Sequence, residues 1–153
     1  MGSAAGSVDT TLRVRTAELG DASDVARLLC DLGYPSNREE ASERISIVRH
    51  DPRQQLLLAE IGGAVCGLIA TYTRYAFSRG AEVTQITALV VSSGNQRQGV
   101  GRRLLREVES RARRSGVTCL DVTSNARRTD AHEFYRHCGY DDSSLRFVKM
   151  LGD

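Results

Sequence analysis

Six residues, Gln96-Arg97-Gln98-Gly99-Val100-Gly101, join the apolar run Ala88-Leu89-Val90-Val91 to a long amphipathic segment that opens with Arg102 and Arg103. A strand, a glycine-rich turn and a helix start in that order make a corner suited to phosphate. A helix N-terminus presents unpaired backbone N–H groups and about half a positive charge, so a pyrophosphate there gains hydrogen bonds and a favourable dipole. Glycine at 99 and 101 removes the Cβ that would hold the anion off the backbone. Two known phosphate corners do not fit. There is no Gly-Lys-Ser/Thr ending, and Leu104 stands where a dinucleotide fingerprint needs its third glycine. A tight turn without ligand has the same short spacing, so the neighbouring segments decide.

Those segments alternate in period. Leu12 to Thr16 alternates apolar with polar or basic residues and predicts a strand. Asp21 is placed to cap a helix carrying Val25, Leu28, Leu29 and Leu32, which Gly33 stops. Ser36 or Asn37 caps a second helix with Glu39 and Glu40 in its first turn and Ala41, Ile45 and Val48 on one face, ended before Asp51-Pro52. Leu56 to Ile61 and Val65 to Tyr72 are β-type runs around Gly62-Gly63, a hairpin signal. Arg74 to Gly80 reads as a loop, and Val83 to Val91 as the fourth strand.

After the glycine corner, Val100, Leu104, Leu105, Val108 and Ala112 form one apolar stripe, with Arg102, Arg106, Arg113 and Arg114 outside it. Val117 to Val122 supplies a fifth strand, making a parallel strand–helix–strand crossover. Asp130 with Glu133 opens a last helix bearing Phe134 and Tyr135 and closed by Gly139. Tyr140 and Leu145 to Leu151 are expected to complete the sheet as a hairpin.

At 153 residues the chain is long enough for one core without disulfides or metal. The reading is a flexible tail over 1–11 and a single domain over 12–151. A net charge of +2 gives no strong pull toward nucleic acid or anionic membrane. Glu107 and Glu109 interrupt the arginine-rich helix face, which also lacks aromatics for base stacking. Cys30, Cys66, Cys119 and Cys138 form no Cys-x-x-Cys pair, so no metal is expected. Without an apolar run of membrane length or a signal-peptide core, the expected setting is cytoplasmic.

Gln-x-x-Gly-x-Gly after a strand resembles the acetyl-coenzyme A signature of the GNAT acyltransferase superfamily. A second stretch is similar too: Asn125, then Ala131, then Phe134-Tyr135-Arg136-His137-Cys138-Gly139-Tyr140 matches that family's Asn, Ala and Phe-Tyr-x-x-x-Gly-Phe/Tyr. The resemblance spans Leu12 to Leu151. It implies an α/β (α+β) fold: a mixed, mostly antiparallel sheet with the parallel crossover and helices on both faces.

It also implies acetyl-coenzyme A as cosubstrate and acetyl transfer to a primary amine of a small molecule or peptide, by direct attack through a tetrahedral intermediate. Backbone amides of Gln96, Arg97, Gln98, Gly99, Val100, Gly101 and Arg102 would hold the pyrophosphate, and Leu89, Val90 and Val91 the pantetheine arm. The N–H of Val90 or Leu89 would stabilise the oxyanion. Asn125 would meet the pantetheine, and Arg97, Arg102, Arg127 or Arg128 the 3′-phosphate.

Tyr135 would assist the leaving thiolate. A phenol titrates near ~10 and a thiol near ~8.5, so full transfer is uphill by about 2 kcal/mol, and hydrogen-bond donation is the role expected. An alkylammonium with pKa ~10.4 must lose a proton before attack, at a cost of about 4–5 kcal/mol at neutral pH. Relatives place a carboxylate in the segment equivalent to Thr87-Ala88, and this chain has none there. Glu82 is the nearest candidate base, with the hydroxyls of Thr84 and Thr87 as a water relay instead.

The acceptor would lie against Leu32 to Glu40 and Arg74 to Glu82. Tyr34, Glu39 and Glu40 would suit a polyamine or aminoglycoside, or the two glutamates only complement a helix dipole. A catalytically silent coenzyme A-binding module is the alternative function, and homodimerisation is allowed by analogy alone.

Overall fold

The computed structural model describes residues 11–123, 129–142 and 147–152. Strand β1 (Leu12–Thr16) is followed by helices α1 (Ala22–Leu32) and α2 (Arg38–Arg49), then β2 (Gln54–Ile61), β3 (Ala64–Ala76) and β4 (Ala81–Val91). Helix α3 (Val100–Arg114), β5 (Leu120–Val122) and α4 (Thr129–His137) complete the order. The sheet runs β1-β2-β3-β4-β5, antiparallel except for the parallel β4–β5 pair. The chain divides into two compact units, Met1–Asp121 and Val122–Asp153. In the second, Tyr140 N–H closes α4 on Tyr135 O at 2.9 Å after Gly139 at φ +92°.

Alternation along the strands builds the two faces of the sheet. Ala17, Val25 and Leu28 with Ala41 and Ile45 cluster on Leu56, Leu58, Leu68 and Val90, which seats α1 and α2 on one face. The stripe Val100, Leu104, Leu105, Val108 and Ala112 is buried on the other. Gly67 is where α3 comes closest: a Cβ there would lie 3.0 Å from Val100 Cγ1 and 3.3 Å from Leu104 Cδ1. Gly62 and Gly63, both at positive φ, make the two-residue turn between β2 and β3.

Several expectations are corrected. The run Arg74 to Ala76 continues β3, paired with Val83, Glu82 and Ala81, because the turn needs only residues 77–80. Helix α3 starts at Val100, so Gly101 lies in its first turn rather than in the preceding loop. Strand β5 is limited to Leu120–Val122, shorter than the apolar run suggests. Helix α4 begins at Thr129, so Asp130 lies inside it and does not precede it as a cap. The closing hairpin is absent among the described residues: Tyr140 and residues 147–152 form no strand, and Phe147, Val148, Met150 and Leu151 are exposed. Alternation alone does not make a strand when no neighbouring strand takes its hydrogen bonds.

Asn37 caps α2 as expected, with Oδ1 accepting Glu40 N–H at 2.8 Å while Glu40 Oε1 accepts Asn37 N–H at 2.9 Å. Asp21 does not cap α1 with its side chain. Instead its carboxylate takes two bonds from Arg15, at 2.8 and 2.9 Å, and one from Glu18 N–H at 2.7 Å, while Arg15 Nε also reaches Glu60 at 2.9 Å.

The Arg15 hydrogen bonds hold Asp21 below the ordinary carboxylate range. Its folded-state pKa is depressed, so its contribution is present above the unfolded value and is lost as pH falls through the folded one. Asp21→Asn is expected to cost about 2 kcal/mol at neutral pH, with the gap to the parent closing in acid, below the ordinary carboxylate range. Urea unfolding at both pH values checks this, and a pH-independent gap would contradict it.

Candidate active site

The backbone of β4 decides what faces the edge beyond β3. Ser92 donates its N–H to Cys66 O at 2.8 Å. Such pairs recur every second residue in an antiparallel ladder, so Val90 and Ala88 bond to Leu68 and Ala70, their register partners. Leu89 and Val91 therefore turn their N–H and C=O groups to the opposite edge. Gln96 Nε2 approaches Val91 O at 3.5 Å, a long contact consistent with that direction.

Earlier in β4 the phase is reversed. Thr84 donates to Cys119 O at 3.1 Å, so there an even-numbered residue faces β5. The reversal occurs at Thr87, a bulge residue left without an opposite because Ala70 pairs with Ala88 and Thr71 with Ile86. Thr87 Oγ1 donates to Ala70 O at 3.2 Å. The three residues of β5 cannot cover the eleven of β4, so among the described residues no strand pairs with the outer edge of β4 beyond the bulge.

That edge leads into the glycine corner. Residues Ser93–Asn95 make one 3₁₀ turn, and the chain then enters α3 through Arg97 at φ +66° and Gly99 at φ +79°. Arg97 is the one non-glycine residue at positive φ among those described. A conformation costing about 1–2 kcal/mol at an exposed arginine is the kind of strain found where a turn serves a ligand. The first helical bond is Arg103 N–H to Gly99 O at 3.0 Å. The N–H groups from Gly99 to Arg102 thus have no partner within the helix, and neither a capping side chain nor a first-turn acid competes for them.

Arg27 braces this region from α1, donating to Ser92 Oγ and to Val65 O, each at 2.9 Å. On the outer face of α3, Arg111 with Arg103 holds Glu107 below its ordinary range, which completes a surface ladder and leaves the corner free of that acid.

The predicted base is not brought to this edge. Glu82 pairs with Arg53 at 3.5 Å in an exposed contact. Seven residues of strand separate it from Leu89, about 20 Å at the usual rise. Thr84 Oγ1 is buried against Thr73 Oγ1 at 2.8 Å. Glu40 is committed to the α2 cap, and Tyr34 is exposed. Cys66 is buried, and burial pushes its thiol up, which makes it a poor nucleophile.

In the second unit, Tyr135 is half-buried on α4, edge-on to Phe134 and Tyr140 at centroid distances of 5.5 and 5.9 Å. Asn125, Arg127 and Arg128 lie outside the described residues.

One carboxylate was not singled out from the sequence. Asp121 Oδ1 is the buried side-chain oxygen that lacks a hydrogen-bond partner among the described residues, while Oδ2 lies 3.7 Å from Arg74 Nη2. The available signal was a charge in the middle of a short parallel strand, Leu120-Asp121-Val122.

Residues 23–140 match the model of the acetyltransferase (GNAT) family. The chain is 30% identical over 143 residues to an aminoalkylphosphonate N-acetyltransferase of Salmonella typhimurium, covering 90% of each. Its fold is similar to that of a GNAT family acetyltransferase from Staphylococcus aureus, with a TM-score of 0.79, 24% identity and coverage of 92% and 99%. It is also similar to an aminoglycoside N-acetyltransferase solved with coenzyme A, with a TM-score of 0.83, 12% identity and coverage of 93% and 95%. GNAT acetyltransferases use acetyl-coenzyme A, and no helix among the described residues is long and apolar enough to cross a membrane. On the family match over residues 23–140 and the 30% identity across 90% of both chains, the chain belongs to the acetyltransferase (GNAT) family and is an N-acetyltransferase.

Proposed function

We propose that the protein acetylates the primary amine of a small aminoalkylphosphonate with acetyl-coenzyme A. The observation that carries the acceptor class is the 30% identity, over 90% of both chains, to an enzyme named for that acceptor.

The pyrophosphate of the coenzyme is held by the N–H groups from Gly99 to Arg102, with Gln96, Arg97 and Gln98 shaping the turn. Leu89 and Val91 hydrogen-bond the pantetheine arm as an added strand would. Leu89 N–H is the oxyanion donor, since the Val90 N–H belongs to the β3 ladder. Asn125 contacts the pantetheine, and Arg128 with Arg97 or Arg102 meets the 3′-phosphate. Tyr135 donates a hydrogen bond to the departing sulfur.

Thiol release from acetyl-coenzyme A, followed over aminoalkylphosphonates, polyamines, aminoglycosides, amino acids and peptides, tests the reading. Aminoalkylphosphonates are expected to give the highest kcat/KM, and Tyr135→Phe to lower kcat about 10- to 100-fold without weakening coenzyme binding. Preference for another amine class would overturn the acceptor assignment. An unchanged kcat in the variant would remove the tyrosine from the mechanism.

A further inference from the structure

We infer that the Arg74–Asp121 pair is the acceptor end of the active site, with Asp121 taking the proton of the substrate ammonium and Arg74 holding its phosphonate. The inference rests on the proposed acceptor class and assigns residues to it.

Three observations converge on this pair. The bond from Thr84 N–H to Cys119 O sets the parallel register, placing Leu120 beside Thr84 and Asp121 beside Gln85. Asp121 is thereby two residues before the Thr87 bulge, close to where β4 turns its backbone outward. Arg74 stands opposite Val83 on β3, so its guanidinium spans β4 to reach Asp121 on β5. Both side chains project from the face that also carries Leu68 and Ala70, and both are nearly half exposed; because Oδ1 is shielded, the carboxylate oxygen that solvent and a small molecule reach is Oδ2, beside the arginine.

The pair is also poorly made for a structural role. A separation of 3.7 Å at such exposure contributes about 0–1 kcal/mol. Leaving Asp121 Oδ1 buried and unbonded costs more, about 1–3 kcal/mol. A carboxylate with one oxygen open to solvent, beside a cation it barely touches, is complementary to a zwitterion that brings both an ammonium and an anion. The substrate ammonium donates toward Oδ2, and the phosphonate gives the planar arginine fork two oxygens.

The proton balance follows. One ammonium proton passes through a bound water to Asp121 Oδ2, since Asp121 lies beside Gln85, about 13 Å along the strand from Leu89. The freed nitrogen lone pair forms the C–N bond to the thioester carbonyl carbon. The C–S bond then breaks, and the sulfur leaves with the second proton from nitrogen. The products are the amide, free coenzyme A and a proton released when Asp121 ionises again. No other reactant is needed.

Steady-state kinetics of the parent, Asp121→Asn and Arg74→Gln with 2-aminoethylphosphonate and n-propylamine test the pair. Asp121→Asn is expected to lose about 100-fold in kcat/KM at neutral pH. That loss shrinks as pH rises toward the amine pKa of ~10.4, where the neutral amine no longer needs a proton acceptor. Arg74→Gln is expected to raise KM for the phosphonate about tenfold or more, a change in KM much larger than that for propylamine, which has no anion for the arginine to hold. Coenzyme A binding by calorimetry and thermal melting report whether either variant is misfolded.

An Asp121→Asn loss that is absent, or that is constant with pH, overturns the role of the carboxylate. Equal effects of Arg74→Gln on both acceptors overturn that of the arginine. If the parent itself ignores phosphonates but acetylates another amine, the proposed acceptor class fails and Arg74's role with it. The pH profile on that other amine then still decides Asp121. A parent inactive on every amine overturns the whole inference.

Discussion

Leu104→Ala is expected to lower the free energy of unfolding by about 2–5 kcal/mol, the range for removing a fully buried leucine from a packed core. Leu104 is wholly buried on the inner stripe of α3, and its Cδ1 stands over Gly67 of β3. The cavity would open one turn into the helix whose first N–H groups are proposed to hold the coenzyme pyrophosphate. Weaker coenzyme A binding is therefore expected alongside the lost stability. Urea unfolding and calorimetric titration measure the two, and a loss below about 1 kcal/mol would show that the helix collapses into the space.

The opposite change, Gly67→Val, is expected to cost about 3 kcal/mol by overpacking. The new Cβ alone would meet Val100 Cγ1 at 3.0 Å, Val90 O at 3.2 Å and Leu104 Cδ1 at 3.3 Å. The two side chains can shift, but the carbonyl belongs to the β3–β4 ladder and cannot move without breaking a bond beside Leu89 and Val91. Val100 is the first residue of α3, so relief by moving it displaces the phosphate corner. Gly67→Ala should be milder. Because residues 67 and 104 touch, the two substitutions are expected to be non-additive, with Leu104→Ala offsetting part of the cost of Gly67→Val. Strict additivity in thermal melts would show that the helix, not the side chains, absorbs the clash.

The corner proposed for the cofactor was legible in the sequence as a local structure because it is made of backbone. A glycine at the αL entry to a helix, an apolar strand before it and an amphipathic stripe after it are local patterns. β1, the Gly62-Gly63 turn, the Asn37 cap and the five-residue stripe of α3 were found where expected. The bulge at Thr87 was not legible, since Ala88-Leu89-Val90-Val91 is apolar throughout and carries no phase. The role of Asp21 was misassigned because a cap and a long-range ion pair call for the same residue, and Arg15 wins with two charge-assisted bonds. The acceptor half we propose is built from side chains 47 positions apart, Arg74 and Asp121, which only the sheet order brings together.

The bulge makes β4 behave like a text with a frameshift. Upstream of Thr87 even-numbered backbone groups address β5, and downstream odd-numbered ones address the open edge proposed for the coenzyme. Deleting that one residue would heal the ladder and leave every downstream letter in place, because Ala88 already opposes Ala70 and Ile86 opposes Thr71: Val90 would still address β3, and Leu89 the open edge.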